Sequence, residues 1–292
     1  MSDLTIDDSV RGLIRMLEER LERAGIVSAR AEAEWLLAEA LGTPRTELYL
    51  REEPLEPQLI EAILGLLAQR VHGEPLQYVL RSTEFWGHRL AVAPGVFIPR
   101  PETEVLVERA IHHLQGVRRR TSALIRVLDV GTGSANIPIS LTRAIASCVV
   151  VAVELSWEAL CIAWTNIQAH HVGDRIHLIR SDWTTAVHGT FDLLISNPPY
   201  VCTAAVEREA ASGRQREPRM SLDGGGDGMM FHRRLFAEAA RLLSPDGVLG
   251  FECAETQAHP LASFASRQPW VKRVEIVEDL AGLPRGLWVE RR

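Results

Sequence analysis

Lysine is almost missing from this chain. Of its 32 basic residues only Lys272 is a lysine, the rest being arginine, which leaves little scope for Schiff-base or lysine-nucleophile chemistry. Cysteine is scarce as well. Cys148, Cys161, Cys202 and Cys253 lie scattered with no Cys-x-x-Cys spacing, which indicates neither a zinc site nor a disulfide framework and points to reduced thiols. Long apolar runs are lacking: the longest, around Cys148 to Val153, is far short of the roughly 20 residues a bilayer-spanning helix needs. Met1 to Asp8 is acidic and has no apolar signal-peptide core. These absences point to a cytoplasmic protein with no membrane role. Positive charge is short at one end. Residues 1–75 hold 15 Asp and Glu against 8 Arg within a net charge of −6, so the rest is near neutral. An acidic front segment is a poor clamp for nucleic acid, because affinity there comes from neutralising phosphates. It suits a protein partner.

What is present is ordinary for a globular protein of about two domains: 292 residues, 46% hydrophobic and 24% charged. Residues 1–75 read as a helical bundle. Ser9 is a plausible N-cap for a helix with Val10, Leu13, Ile14, Leu17 and Leu21 on one face. Ser28 caps a second helix carrying Trp35, Leu36 and Leu37 and ended by Gly42. Thr43-Pro44 starts a short third, and Pro57 opens a fourth. Residues 76–95 read as a β-hairpin linker, since Thr83 to Val92 alternates. From residue 96 the chain reads as a catalytic α/β domain, entered through the Pro-rich stretch Phe97-Ile98-Pro99-Arg100-Pro101-Glu102-Thr103-Glu104 and a helix over Val105–Leu114. Arg118-Arg119-Arg120 reads as a solvated loop. Strand and helix then alternate: strands at Leu124–Val130, Cys148–Val153, Arg175–Ile179 and Phe191–Ser196, helices at Ile137–Ile145 and Trp157–Ala169. After a long 197–228 connection come a helix (Met229–Leu243), a strand (Val248–Cys253), a helix (Glu255–Arg267) and two strands paired antiparallel at the edge (Val271–Val277, Leu287–Glu290). The pattern specifies a doubly wound sheet of about seven strands.

Chemistry-bearing residues fall where such a sheet presents its ligands, at the strand ends. Asp129-Val130-Gly131-Thr132-Gly133-Ser134-Ala135 follows the first strand of the α/β part and opens a helix, where glycines let the backbone approach a nucleotide-like ligand. The third glycine of a dinucleotide fingerprint is absent, which disfavours a pyrophosphate but allows one carboxylate and one ribose. Glu154 ends the next strand, the position from which a carboxylate accepts ribose hydroxyls. Asp182-Trp183 could supply an acceptor for an adenine amino group beside an aromatic wall. Asn197-Pro198-Pro199-Tyr200 follows the strand ending at Ser196. Two prolines fix φ and remove two N–H donors, so the Asn197 Oδ1 and the Pro198 carbonyl form a small acceptor cluster suited to an NH₂ on a planar carbon. Phe97 and Tyr200 are candidates for flanking that planar group. Loop, Glu154, Asp182 and Asn197 together suit S-adenosyl-L-methionine with an amide or amino acceptor; no metal site is indicated.

On these residues the sequence resembles the HemK/PrmC family, release factor glutamine methyltransferases that modify the glutamine amide of class 1 peptide chain release factors. The resemblance runs through Gly73 to Val79, Glu84 to Gly87, Phe97 to Glu104, the glycine loop, Asn197 to Tyr200, Glu217-Pro218-Arg219, Asp223 to Gly228 and Asp279 to Gly282. Asn-Pro-Pro-Tyr alone is shared with adenine N6-methyltransferases; the Ile98–Glu104 stretch resembles the release-factor enzymes. The resemblance implies an N-terminal domain that helps hold the release factor and a catalytic domain that admits the glutamine of its Gly-Gly-Gln (GGQ) loop. Departures are Ala135 for the usual third glycine, Pro138 in a first helical turn, Glu154 for the more usual Asp, and Cys253-Ala254 where the family tends to have an apolar residue and glycine. The rival readings are an adenine N6-methyltransferase acting on nucleic acid, which needs a basic groove, a non-catalytic cofactor-binding protein, and a nicotinamide dehydrogenase, whose fingerprint is incomplete here.

Overall fold

A computed structural model of the chain describes residues 7–120, 123–213 and 215–292; the expectation for Met1 to Ile6 lies outside them. The chain forms two compact units, Met1–Arg81 and Ser82–Arg292.

The first unit is helical. α1 (Val10–Arg23) starts at Ser9, whose Oγ accepts from the Gly12 N–H at 3.1 Å, and it buries Val10, Leu13, Ile14, Leu17 and Leu21. α2 (Ala29–Leu41) buries Leu36 and Leu37 and stops at Gly42, which takes the left-handed conformation that glycine adopts without a Cβ clash. Trp35, expected among the apolar residues of this helix, is instead partly exposed and lies under the Arg45 guanidinium at 4.9 Å. The short helix expected after Pro44 is a 3₁₀ segment, Arg45–Leu50. α3 (Pro57–Val71) has Pro57 in its first turn, where the missing N–H costs nothing. Arg70 on α3 donates to both carboxylate oxygens of Glu32 on α2, at 2.6 and 3.2 Å. α4 (Leu76–Leu80) corrects the sequence reading: residue 76 begins a helix rather than a hairpin linker, and Val79 and Leu80 complete the core of this unit.

The second unit opens with the expected hairpin, β1 (Ser82–Phe85) and β2 (His88–Ala91), antiparallel. It is built into this unit rather than free: Phe85 and Leu90 belong to the hydrophobic core, and Trp86 N donates to Glu104 Oε1 at 2.7 Å. α5 (Thr103–Arg120) runs further than Val105–Leu114, so Arg118 to Arg120 continue a helix instead of forming a loop. There follow β3 (Ile125–Val130), α6 (Asn136–Ala144), β4 (Cys148–Glu154), α7 (Trp157–Ala169), β5 (Ile176–Arg180) and β6 (Phe191–Ser196). α8 (Thr203–Ala211) lies inside the 197–228 stretch that read as a connection. α9 (Met230–Leu242), β7 (Leu243–Glu252), α10 (Glu255–Ser266), β8 (Val271–Glu278) and β9 (Pro284–Arg291) complete the unit.

The sheet has seven strands in the order β5-β4-β3-β6-β7-β9-β8, parallel from β5 to β7 and antiparallel at β9 and β8. Alternate residues feed a core on each face: Leu193 and Ile195 of β6 join one cluster and Leu194 the other, while a register shift between Phe191 and Leu193 turns Phe191 to the same side as Leu194. Asn166 on α7, almost fully buried, accepts from Ala91 N and donates to Ala91 O and to Ser134 O, tying the hairpin to the loop after β3. Strand order reverses at β3, whose neighbours are β4 and β6, and a doubly wound sheet opens its ligand crevice at such a switch point. No helix among the described residues is long and apolar enough to cross a membrane.

Candidate active site

The loops after β3, β4 and β6 meet in a cavity of about 280 Å³ lined by Phe97, Gly131, Thr132, Gly133, Glu154 and the whole Asn197–Tyr200 motif. A second cavity of about 100 Å³, sharing Gly131, Glu154 and Pro199, is walled by Asp182, Trp183 and Phe231. The parallel sheet explains why Gly131, Glu154 and Asn197 converge, because it delivers every loop after a parallel strand to the same edge.

The β3 loop is a cradle. Gly131 (φ +78°) and Gly133 (φ +54°) have nothing within 4 Å of where a Cβ would stand, so the backbone faces open space. Gly131 N and Thr132 N donate to Val153 O, anchoring the loop on β4. Polar atoms of this loop are under-satisfied: among the described residues no well-formed hydrogen bond reaches either carboxylate oxygen of Asp129, Thr132 Oγ1 or Ser134 Oγ, although the Thr132 hydroxyl lies close enough to favour the carboxylate. Thr132 and Ser134 line the larger cavity, whereas Asp129 is fully buried and is not among its lining residues. Burial pushes the Asp129 carboxyl up to about 7, opposed by the Thr132 hydroxyl and reinforced by Glu154 nearby. A buried acceptor cluster of this kind is completed by a cationic donor such as an ammonium group. Ala135 holds a left-handed conformation (φ 64°, ψ 25°) that costs a non-glycine residue about 1 to 2 kcal/mol.

Glu154 binds its own surroundings. Oε1 accepts from Leu155 N at 2.8 Å and Ser156 N at 3.0 Å, and Oε2 accepts from Gly133 N at 2.9 Å. An acceptor position remains on Oε2, enough for one ribose hydroxyl without disturbing those bonds. Asp182 faces Arg234, paired at 3.2 Å and largely exposed, while Trp183 is buried, packed on Phe231 with ring centroids 5.1 Å apart. Trp183 therefore serves both the core and the cavity wall.

The Asn197 loop is held differently. Asn197 Nδ2 donates to Thr103 Oγ1 at 3.0 Å, Thr103 Oγ1 donates to Glu252 Oε2 at 2.5 Å, and Tyr200 Oη donates to Glu252 Oε1 at 2.9 Å. Among the described residues nothing donates to Asn197 Oδ1 or to the Pro198 carbonyl. Burial and the Glu252 carboxylate raise the Tyr200 phenol far above its ordinary value, so it stays protonated and donates. Gln257 Nε2 donates to Tyr200 O at 2.8 Å, Val201 N donates to Leu222 O, and Gly224 N donates to Val201 O. Gly224 and Gly228 allow this approach: a Cβ at Gly228 would stand 2.3 Å from Tyr200 O, and one at Gly224 would stand 2.7 Å from Pro199 O. Glu217 pins the Pro-rich stretch, accepting from Ile98 N at 2.9 Å and pairing with Arg100, whose guanidinium covers the Phe97 ring at 4.9 Å. The sequence reading quoted Thr103 only within the Phe97–Glu104 stretch, with no role of its own, and did not single out Glu252 or Gln257. The available signal was a carboxylate at the end of the otherwise apolar run Val248 to Phe251.

Fold and site together define a methyltransferase of the doubly wound class. The family described as "Methyltransferase small domain" matches residues 111–235, and the "PrmC N-terminal domain" matches residues 12–80. A release factor glutamine methyltransferase of Geobacter sulfurreducens is 38% identical over 89% of this chain and 89% of its own length. One of Nitratidesulfovibrio vulgaris is 36% identical over 97% of this chain and 95% of its own. A crystal structure of the hMettl16 catalytic domain in complex with an RNA hairpin superposes with a TM-score of 0.55 at 18% identity, covering 77% of this chain and 81% of that one, a likeness of fold. The chain belongs to the release factor glutamine methyltransferase family.

Proposed function

We propose that this enzyme methylates the side-chain amide nitrogen of the glutamine in the GGQ loop of class 1 release factors, with Asn197 and Pro198 as the groups that hold that amide. The observation that carries this reading is the pair of unoccupied acceptors, Asn197 Oδ1 and the Pro198 carbonyl, in one cavity with the glycine cradle. S-adenosyl-L-methionine, when bound, supplies an electrophilic methyl sulfonium.

The chain's own residues do the rest. Asp129 and the Thr132 and Ser134 hydroxyls suit the cofactor's amino acid end, Glu154 Oε2 its ribose, and Asp182 with Trp183 its adenine. Residues Gly131 and Gly133 let the backbone come close. An amide nitrogen is a weak nucleophile because its lone pair is delocalised into the carbonyl. Asn197 Oδ1 and the Pro198 carbonyl accept its two N–H groups and leave the lone pair out of plane, and these contacts strengthen as the nitrogen becomes more positive. As the N–C bond forms the C–S bond would break to leave a neutral thioether, and the alkylated nitrogen, now acidic, gives one proton to water. Phe97, Pro199 and Tyr200 form walls for the planar amide. The helical first unit, acidic and without a catalytic constellation, serves as the hold on the body of the release factor.

Mass spectrometry of a release factor incubated with the enzyme and S-adenosyl-L-methionine tests the reading: one methyl group on the GGQ glutamine is expected, and none where glutamate replaces it. Transfer to DNA or RNA without transfer to release factor overturns it. Removing the first unit is expected to weaken methylation of intact factor more than of a short GGQ peptide; equal loss on both overturns its role as the hold.

A further inference from the structure

We propose that Glu252 and Thr103 are positioning residues that fix which end of the Asn197 amide faces the substrate, an inference that rests on the function proposed above. The two ends of an asparagine amide are nearly the same in size and shape, and only their hydrogen-bond partners decide the orientation. If Nδ2 faced the cavity, a substrate NH₂ would meet another NH₂ and the acceptor cluster would be gone. The prolines of the motif cannot settle this, since they have no N–H to donate.

The selection comes from two other segments of the chain. Glu252 ends β7 and is 3% exposed, and β7 lies parallel beside β6 with Ser196 opposite Phe251, which brings the carboxylate up beneath the motif. Burial raises the Glu252 carboxyl above its ordinary value, and the Thr103 and Tyr200 hydroxyls that face it act the other way, favouring the ionised form; in that form it only accepts hydrogen bonds. It takes the single hydroxyl proton of Thr103 on Oε2 and that of Tyr200 on Oε1. Thr103, its proton spent, has only lone pairs left to offer Asn197, and they select Nδ2. Oδ1 is thereby the end left to the cavity. The direction of every bond in the chain Asn197, Thr103, Glu252 follows from the carboxylate at its far end. Thr103 itself is 1% exposed, in the first turn of α5, and the Glu252 carbonyl is held in turn by the His232 ring at 2.9 Å, so neither partner is free to drift.

Two near-isosteric variants and one conservative variant test this. Thr103→Val removes the relay hydroxyl. Glu252→Gln places an NH₂ against one of the two hydroxyls that now donate. Each is measured by single-turnover methylation of a GGQ peptide at saturating cofactor, beside calorimetric cofactor affinity and thermal unfolding. The expected result is a rate lower by about a hundredfold, the scale of loss when a reacting group is misplaced, with cofactor affinity within roughly twofold of wild type; Thr103→Ser, which keeps the hydroxyl, stays near the wild-type rate. A purely structural role is separated by a double-mutant cycle: in an Asn197→Ala background Thr103→Val should cost less than about threefold more, because Thr103 acts through Asn197. Wild-type rates in both Thr103→Val and Glu252→Gln, or full additivity with Asn197→Ala, overturn the positioning role alone. No transfer by the wild-type enzyme overturns the proposed function and this role with it.

Discussion

The two halves of the active-site cavity are built on opposite plans. The cradle after β3 is left open: among the described residues Asp129, Thr132 and Ser134 carry buried polar atoms that lack a well-formed hydrogen bond, and Gly131 and Gly133 face open space. The Asn197 loop is closed from behind by Thr103, Glu252, Gln257 and the backbone around Gly224, and it presents the acceptors proposed to hold the substrate amide. A ligand that is exchanged each turnover can satisfy a site it enters, and unsatisfied atoms are then a source of affinity. A group that must align a poor nucleophile gains by being rigid beforehand, since reorganisation at the moment of reaction is avoided.

The sharpest way to break this contrast is Asn197→Ala. Single-turnover methylation at saturating cofactor should fall about a hundredfold, roughly 3 kcal/mol of transition-state stabilisation, with calorimetric cofactor affinity nearly unchanged. Loss of cofactor binding there would mean that the two halves are not separate. Glu154→Ala should do the reverse, weakening cofactor affinity by about 1 to 3 kcal/mol while saturating cofactor restores much of the rate. The structure adds a reason beyond the proposed ribose contact, because Glu154 also holds Gly133 N.

Acidity offers a third contrast. With the Asp129 carboxyl pushed up to about 7, the ligand-free protein keeps it mostly protonated at pH 6. Because this folded-state value lies above the unfolded one, the group favours folding below about pH 4 and loses that contribution as pH rises through about 7. A bound ammonium favours the ionised form, so cofactor binding should release a proton and tighten about tenfold between pH 6 and 8. Calorimetry in buffers of different ionisation enthalpy measures this, and Asp129→Asn should flatten the profile; a persistent slope would assign it to another group. The smallest effect is expected for Ala135→Gly. Relief of the left-handed strain offsets the loss of a buried methyl worth about 0.8 kcal/mol, so unfolding free energy should stay within about 1 kcal/mol of wild type.

How legible each half was from sequence follows from the range of its contacts. The cradle is local: Gly131, Gly133 and Ala135 lie within a few residues of the strand they follow, and spacing alone marks them. The support of Asn197 is not local. Thr103 and Glu252 are 149 residues apart and Thr103 and Asn197 94 apart, and nothing in the sequence near Asn197 names either partner. The strand and helix order was readable because β3, β4 and β6 are mostly apolar and bounded by turn residues. α8 was missed because it is short and buries only Val206, leaving almost no periodic stripe to detect. The extension of α5 was hidden by its arginines, which read as a loop although arginine is a good helix former.

Asn166 carries one further consequence. A two-stranded ribbon has exposed edges, and an exposed edge invites pairing with a strand from another molecule. Along the edge of β2 the amide of Asn166 takes up both the N–H and the carbonyl of Ala91, and His170 on the following turn meets the Arg89 carbonyl at 2.8 Å. Side chains from α7 thus occupy the hydrogen-bonding positions that a third strand would use. The hairpin is guarded against self-association by a helix, and an Asn166→Leu protein would be prone to accrete through that edge even where its core remained packed.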